Sequence, residues 1–461
     1  MEKKNSFLKG AAILSLGGLI AKILGAFYRV PLTNLLGAEG IGVYQTAFPT
    51  YCVLLTFSST GVPTAIAKLV SSGEDAEGVL RKCLKIFLPI GAVGTLFMAV
   101  FAYPISYLQG SPEATLSYLA LSPSVFAVSA ISCYRGYFQG KGIMKPTAIS
   151  QITEQAVKLA VGLTLCYFIR ISDGVSGALA CLAVSLSEVS AALYLKRLYD
   201  KNKENSGESV KNYSVKSIFS IVFPVTLSAI LIPLSRVYDS FTAVNMMRHY
   251  TDSATALYGI YTGGAEAVTG VPVAICYGIA AATLPTVSAG KRSGDHFKKI
   301  WRSLGVTLLV SSLSAALMAA FATPFVNIFY GRLSIEERAI TVRLITYSGA
   351  SVILLSLTQT AASCLIAIGK NFVPCICLFS GVAAKAIIQP ILLLNPEINI
   401  FALLISDICC YFVAVFGDLL YIIICKRNIS VKKSGDTGGE GYGDNSRRHR
   451  FKRRSTDLGG I

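Results

Sequence analysis

Gly42–Gly73 reads GVYQTAFPTYCVLLTFSSTGVPTAIAKLVSSG, and Gly259–Gly290 reads GIYTGGAEAVTGVPVAICYGIAAATLPTVSAG. Laid over each other without a gap, they place Gly42, Tyr44, Gly61, Ala65, Val70, Ser71 and Gly73 on Gly259, Tyr261, Gly278, Ala282, Val287, Ser288 and Gly290. At a slightly longer offset Glu188 falls on Asp418, and Lys196-Arg197 falls on Lys426-Arg427. Several identities on one register mark an internal duplication.

The chain around these segments has 461 residues, 53% hydrophobic and only 15% charged. An ordinary soluble domain carries roughly 25% charged residues, and a globule of this size could not hide so much apolar surface. The composition therefore excludes a soluble enzyme and a disordered chain, and points to a polytopic membrane protein. Windows of about 20 residues give twelve apolar spans, near 8–28, 41–60, 84–108, 115–135, 147–169, 174–195, 216–239, 257–284, 301–329, 340–367, 371–394 and 399–425. The first follows Lys3, Lys4 and Lys9 as a signal peptide would, but it is long, contains Lys22 and lacks a small-residue cleavage site, so it counts as a span.

Loop charge supports the count. Basic residues concentrate at the N-terminus and in alternate connections (Lys68, Arg81, Lys82 and Lys85; Arg135, Lys141 and Lys145; 196–216; 291–302), while the intervening loops are short, mixed or acidic. Basic loops stay on the cytoplasmic side, so both termini are expected in the cytoplasm and the protein in the cytoplasmic (inner) membrane. The net charge of +17 reads as topology rather than nucleic-acid binding, and the tail from Lys426 is expected to rest on the anionic leaflet.

The organisation expected is an all-α, twelve-helix protein in two pseudo-symmetric six-helix lobes around a central cavity. An N-terminal lobe (1–196) is joined by a cytoplasmic loop (197–215) to a C-terminal lobe (216–425), and a basic, disordered tail follows (426–461). An even number of spans per copy inserts both the same way up, so the pseudo-axis runs along the membrane normal. Rocking one lobe against the other is then the natural transport movement.

Charged residues within spans are costly unless they face a wet cavity or a partner. Lys22 and Arg29 lie two turns apart on one face of span one with no acid on that span, and are read as substrate-binding cations, with snorkelling of Arg29 to the interface as the plain alternative. Lys158 and Arg236 join them as substrate-binding candidates. Glu154, Glu188, Asp239, Glu266, Lys385, Asp407 and Asp418 are gate or ion-coupling candidates. The spacings Glu154/Lys158 and Arg236/Asp239 are as compatible with self-neutralising helix pairs as with substrate contacts. Paired cations facing a cavity suit phosphate or pyrophosphate, whereas Glu266 and Asp407 would suit a cationic cargo.

No Walker loop, GxSxG, HExxH or dinucleotide glycine pattern occurs, so neither catalytic residues nor an ATP site are expected. The twelve cysteines carry no CxxC and no histidine neighbour, and read as packing residues rather than metal ligands. No cofactor is expected. Drive would come from H⁺, Na⁺ or the membrane potential.

Two further stretches carry a family resemblance. The first is Ser6-Phe7-Leu8-Lys9-Gly10-Ala11-Ala12, then Lys22 through Asn34 (KILGAFYRVPLTN), then Gly40-Ile41-Gly42-Val43-Tyr44-Gln45. The second is Arg135-Gly136-Tyr137-Phe138-Gln139-Gly140 with Met144, Pro146-Thr147-Ala148, Ser150-Gln151 and Glu154-Gln155. Together they resemble the stage V sporulation protein B and MurJ-like lipid II flippase group of the multidrug/oligosaccharidyl-lipid/polysaccharide exporter superfamily. The resemblance implies a cationic cavity that moves a polyprenyl-pyrophosphate-linked sugar between leaflets for cell-wall, polysaccharide or spore building, with Lys22 and Arg29 matching the family's basic positions. Glu266 departs from it, standing where MurJ-type relatives have an arginine. Two further C-terminal spans found in many relatives are not expected, since the chain turns hydrophilic after Cys425. Implied partners are the lipid-linked glycan, the bilayer and envelope or spore-cortex synthases, with the protein a monomer. Two other readings compete: a cation-coupled multidrug exporter, and a non-transporting scaffold for envelope or spore synthesis.

Overall fold

The computed structural model describes residues 2–169, 171–202, 215–293 and 295–437. All contacts discussed below lie within the compact unit that ends at Asp418. The basic tail past Thr437 and most of the loop between the lobes fall outside the described residues.

In the first lobe the chain forms α1 (Glu2–Thr56), a π-helical turn (Phe57–Gly61), α2 (Val62–Ser71), α3 (Ala76–Val100), α4 (Ala102–Leu108), a 3-10 turn (Pro112–Ala114), α5 (Thr115–Gly140), α6 (Lys145–Phe168) and α7 (Asp173–Asn202). In the second it forms α8 (Val215–Ala229), α9 (Leu231–Met247), α10 (Ala254–Gly259), a second π-helical turn (Ile260–Ala265), α11 (Glu266–Ser293), α12 (His296–Phe329), α13 (Ile335–Tyr347), α14 (Gly349–Ala367), α15 (Phe372–Leu393) and α16 (Phe401–Thr437).

Among the described residues nine helices are long and apolar enough to cross a bilayer, and the pair 218–227 and 231–247, bent by 53°, adds a tenth. Two more spans follow from local chemistry. Gly37, at φ 74° and ψ −177°, breaks α1 into two spans, because the left-handed region costs glycine nothing. The helix α6 falls short of the others in hydropathy because Glu154 and Lys158 lie inside it. Twelve spans in two lobes result. The chain is a multi-pass membrane protein, and large side chains on α12 such as Leu309, Leu313, Leu317 and Phe321 are exposed at helical spacing, as a lipid-facing stripe must be.

Helix ends differ from the hydropathy windows where no breaker intervenes. Residues 61–71 were expected to belong to a basic connection, yet helix continues through Val62–Ser71, since Pro63 occupies a first-turn position where its missing N–H costs little. The turn comes at Gly73, φ 91°, and Asp75 then caps α3 by accepting from the Glu77 and Gly78 amides at 3.1 and 2.9 Å. Arg135 was likewise expected in a loop and instead lies within α5.

The duplicated register has a physical counterpart. Gly42 and Gly259 meet at the boundary between the lobes: a Cβ on Gly42 would collide with the Thr255 carbonyl, and a Cβ on Gly259 with the Ala38 carbonyl and the Gly42 backbone. Ala38 and Thr255 are themselves equivalent in that register, so the two helices cross with matching atoms around the pseudo-axis. Side chains reinforce the seam on the face away from the termini. Thr33 Oγ1 donates to the Gly263 carbonyl at 2.8 Å, Gln109 Nε2 to Ser240 Oγ at 2.8 Å, Asn245 Nδ2 to the Leu108 carbonyl at 2.6 Å, and Arg332 Nη1 to the Leu35 carbonyl at 2.7 Å. The Arg332 bond satisfies a carbonyl that span one leaves unpaired at its end. At the terminal face α8 crosses to the other lobe, where Val222 and Thr226 press on Gly61.

Gly259→Val is expected to overpack this seam and lower stability by about 1–3 kcal/mol, read as the thermal midpoint of the purified protein in detergent. Gly305→Val, where an added side chain meets open space, serves as the control and should shift the midpoint by less than a third as much.

Candidate functional site

In the second lobe four spans bring five charges together. Lys385 on α15 is 1% exposed, and its Nζ lies 2.7 Å from Asp239 Oδ2 and 2.6 Å from Asp407 Oδ1. Arg236 forms an ion pair with Glu266 and reaches Asp407 Oδ2 at 3.3 Å, while its helix neighbour Asp239 stands off at 3.8 Å. The i,i+3 pairing suggested by the sequence is thus the weakest contact in the cluster. Tyr261, re-aimed by the π-helical turn, donates to Asp407 Oδ2 at 2.7 Å. A cavity of about 30 Å³ adjoins Arg236, Glu266, Asp407, Thr269, Ser351 and Tyr411, room for one or two waters.

The first lobe spends its acids differently. Glu154 pairs with Arg135 from α5 at 3.1 Å rather than with Lys158, and Arg135 Nε also donates to Ser150 Oγ at 2.9 Å. Gln155 Nε2 donates to the other Glu154 oxygen at 3.1 Å. Glu188, 4% exposed, accepts from the Tyr51 hydroxyl at 2.9 Å and has no ion pair among the described residues. Asp418, its equivalent in the second lobe, is fully buried and has no ion pair among the described residues; the Cys377 thiol is the polar group against it.

Three cations remain outside any salt bridge among the described residues, though Glu154 and Glu188 act on Lys158 at longer range. Lys22 reaches across the lobe boundary to α11, its ammonium 3.1 Å from the centre of the Tyr277 ring. Lys158 sits 5.3 Å from the Tyr28 ring, one residue from Arg29. Arg29, half-buried, acts electrostatically on Lys158 within its lobe and on Glu266 across the boundary. None of the three is in a salt bridge among the described residues. The packing that gathers them follows from small residues: Gly17 lies against Ala148, Gly25 against Gln155, and Gly162 beneath Tyr28, so α1 and α6 approach closely. On α11, side chains added at Gly270 or Gly278 would meet nothing within 4 Å.

The sequence-selected residues therefore separate into two groups. Arg236, Asp239, Glu266, Lys385 and Asp407 converge on one network, whereas Arg29 and Lys158 lie near each other, with Glu154 and Glu188 close to Lys158, and Lys22 stands apart against Tyr277. Arg135 and Tyr51, both absent from the sequence shortlist, turn out to engage Glu154 and Glu188. Arg135 could have been found by extending span four to the first glycine-led turn, at Gly142. Among the described residues no group of three or more His, Cys, Asp and Glu side chains could hold a metal ion.

Residues 7–291 match the family model described as polysaccharide biosynthesis protein. The chain is 28% identical over 350 residues to stage V sporulation protein B of Bacillus subtilis (strain 168), covering 71% of this chain and 67% of that protein. It is 25% identical over 425 residues to the lipid II flippase MurJ of the same organism, covering 84% and 77%. Among solved structures, an inward-facing MATE family transporter of the MOP superfamily superposes with a TM-score of 0.73 at 14% identity, covering 89% of this chain and 96% of that one. The lipid II flippase MurJ in an inward closed conformation gives 0.71 at 14%, covering 89% and 87%. The helical lobes, the family match and these relatives agree in fold, and the chain belongs to the polysaccharide biosynthesis protein family.

Proposed function

We propose that the protein is a flippase for a lipid-linked anionic glycan precursor, with Lys22, Arg29 and Lys158 holding the diphosphate between the lobes. The observation that carries this reading is the unpaired cationic edge. Three cations inside an apolar barrier, none of them in a salt bridge among the described residues although Glu154 and Glu188 lie near Lys158, are costly in the empty protein, and an anionic headgroup offsets that cost. Lys and Arg together suit a diphosphate, the lysines as mobile point charges and the arginine as a planar fork. Stage V sporulation protein B and MurJ as relatives support a lipid-linked precursor as the cargo class.

The seam at Gly42 and Gly259 closes the face opposite the termini, and loading of the cations from the terminal face would require the packing of α8 on Gly61 to part. The basic connections make that face cytoplasmic, in the cytoplasmic membrane. Opening the seam while the terminal side closes would deliver the headgroup to the outer leaflet as the polyprenyl tail stays in lipid. Glu188 and Asp418, equivalent acids without an ion pair among the described residues, are the places for an exchangeable proton that could bias this cycle. A cationic cargo is disfavoured because Glu266 and Asp407 are already tied to Arg236 and Lys385.

Reconstituted vesicles with a labelled polyprenyl-diphosphate sugar test the proposal. The wild-type protein should accelerate leaflet exchange over protein-free vesicles. Lys22→Ala, Arg29→Ala and Lys158→Ala should each lower the rate by about tenfold or more, the loss of a charge-assisted hydrogen bond, with thermal midpoints no lower than that of the wild type. Equal rates with and without protein would overturn it.

The ion pair of α5 and α6 should behave as a structural contact. Arg135→Met is expected to destabilise the protein by about 3 kcal/mol by stranding Glu154, and Arg135→Met with Glu154→Leu should recover most of that loss, as measured by thermal unfolding.

A further inference from the structure

The buried lysine of α15 does more than the flippase reading requires of it. We infer that Lys385 is a resident cation: its ammonium occupies a cation site made by Asp239 and Asp407, which this chain fills with its own side chain instead of an ion from the medium.

Four observations lead there. First, the ammonium stands 2.7 and 2.6 Å from two carboxylates contributed by different helices, α9 and α16. It therefore bridges spans seven and twelve as a bound monovalent cation would. Second, the surroundings are dry, with Lys385, Asp239 and Asp407 at 1%, 1% and 2% exposure, so the pair of acids needs a counter-charge at all times. Third, the charged groups around Lys385 are Asp239, Asp407 and, one step further, Arg236 with Glu266. Their formal sum with Lys385 is −1, and without it −2. Fourth, the tether is supplied by a helix with one face outward and one face packed on α9 and α16, where Tyr238 also donates to the Ala386 carbonyl at 2.7 Å and Gly381 lies against the Cys410 carbonyl. Ile376, Phe379, Ile387 and Ile391 on α15 point outward with more than half their surface exposed. The inward face carries Lys385 and, one turn on, Gln389, which donates to Thr242 Oγ1 at 2.6 Å and accepts from Ser406 at 3.2 Å.

Two roles would look alike in a simple knockout. Lys385 could act only as the peg that fastens α15, or it could act as the charge that Asp239 and Asp407 require. They separate by chemical rescue. Lys385→Ala removes the peg and the charge together and leaves room for a small amine, so an added ammonium ion restores only the charge.

Purified full-length Lys385→Ala and wild-type protein are titrated with ethylammonium, with Na⁺, and with tetramethylammonium, which has charge but no N–H donors, and thermal midpoints are read. Ethylammonium should give the variant a saturable rise in midpoint that the wild type lacks, with tetramethylammonium giving none. In the vesicle assay the variant should lose about a hundredfold in exchange rate, the scale of a broken buried pair, and regain at least about a tenth of wild-type activity with ethylammonium. A folded variant whose midpoint ignores both ethylammonium and Na⁺ would overturn the resident-cation role and leave Lys385 as a peg. If Lys385→Ala does not accumulate, Lys385→Ala with Asp239→Asn lowers the excess negative charge and keeps Asp407 as acceptor, and the same titrations decide. The midpoint measurement needs no transported substrate, so a failed flippase reading and a failed resident cation give different results.

Discussion

An apolar barrier tolerates a buried charge only when something answers it, and the two lobes answer in opposite ways. In the second lobe the answer is internal: Lys385 and Arg236 are divided among Asp239, Asp407 and Glu266. In the first lobe Arg135 takes Glu154 and Tyr51 takes Glu188, which leaves Lys22, Arg29 and Lys158 outside any salt bridge among the described residues, Lys22 and Lys158 against tyrosine rings. A duplicated architecture has thus diverged into one half whose charges are paired internally and one half with three cations outside any salt bridge among the described residues. In the register that aligns Gly42 with Gly259, Lys22 aligns with Asp239, so the divergence includes a reversal of sign at one equivalent position.

The same duplication explains how the halves touch. A two-fold axis brings equivalent residues close to themselves, and only residues without side-chain bulk can occupy the crossing point of two helices. Gly42 and Gly259 meet there, each excluded from carrying a Cβ by a carbonyl of the other copy. Closely packed helices of this kind gain mainly from van der Waals contact, since lipid offers no hydrophobic drive for them to associate. The polar bonds of Thr33, Gln109, Asn245 and Arg332 add direction to the seam at the face away from the termini. A contact of this kind can be broken and remade without unfolding either lobe, as a rocking transporter needs.

The π-helical turns place functional groups at points that regular helix would miss. At Ile260–Ala265 the widened turn brings Tyr261 onto Asp407 and sets Glu266 at the start of α11 facing Arg236. The fold thereby ties span eight into the charge network of spans seven, eleven and twelve, where movement of one span must be felt by the others.

Hydropathy and loop charge alone determined twelve spans, two lobes and the set of charged residues that deserve a role, because burial in lipid imposes its length and composition on each helix separately. The duplication was legible too, since glycines at a helix crossing cannot drift without cost. Partner choice was not. That Glu154 would take Arg135 instead of Lys158, that Asp239 would take Lys385 instead of Arg236, and that Lys22 would reach Tyr277 in the other lobe depend on which helix faces lie together. Spacing along one helix says which side chains share a face. Only tertiary packing decides what that face meets, and in a low-dielectric interior that meeting determines which charges are spent on the fold and which are left for a ligand.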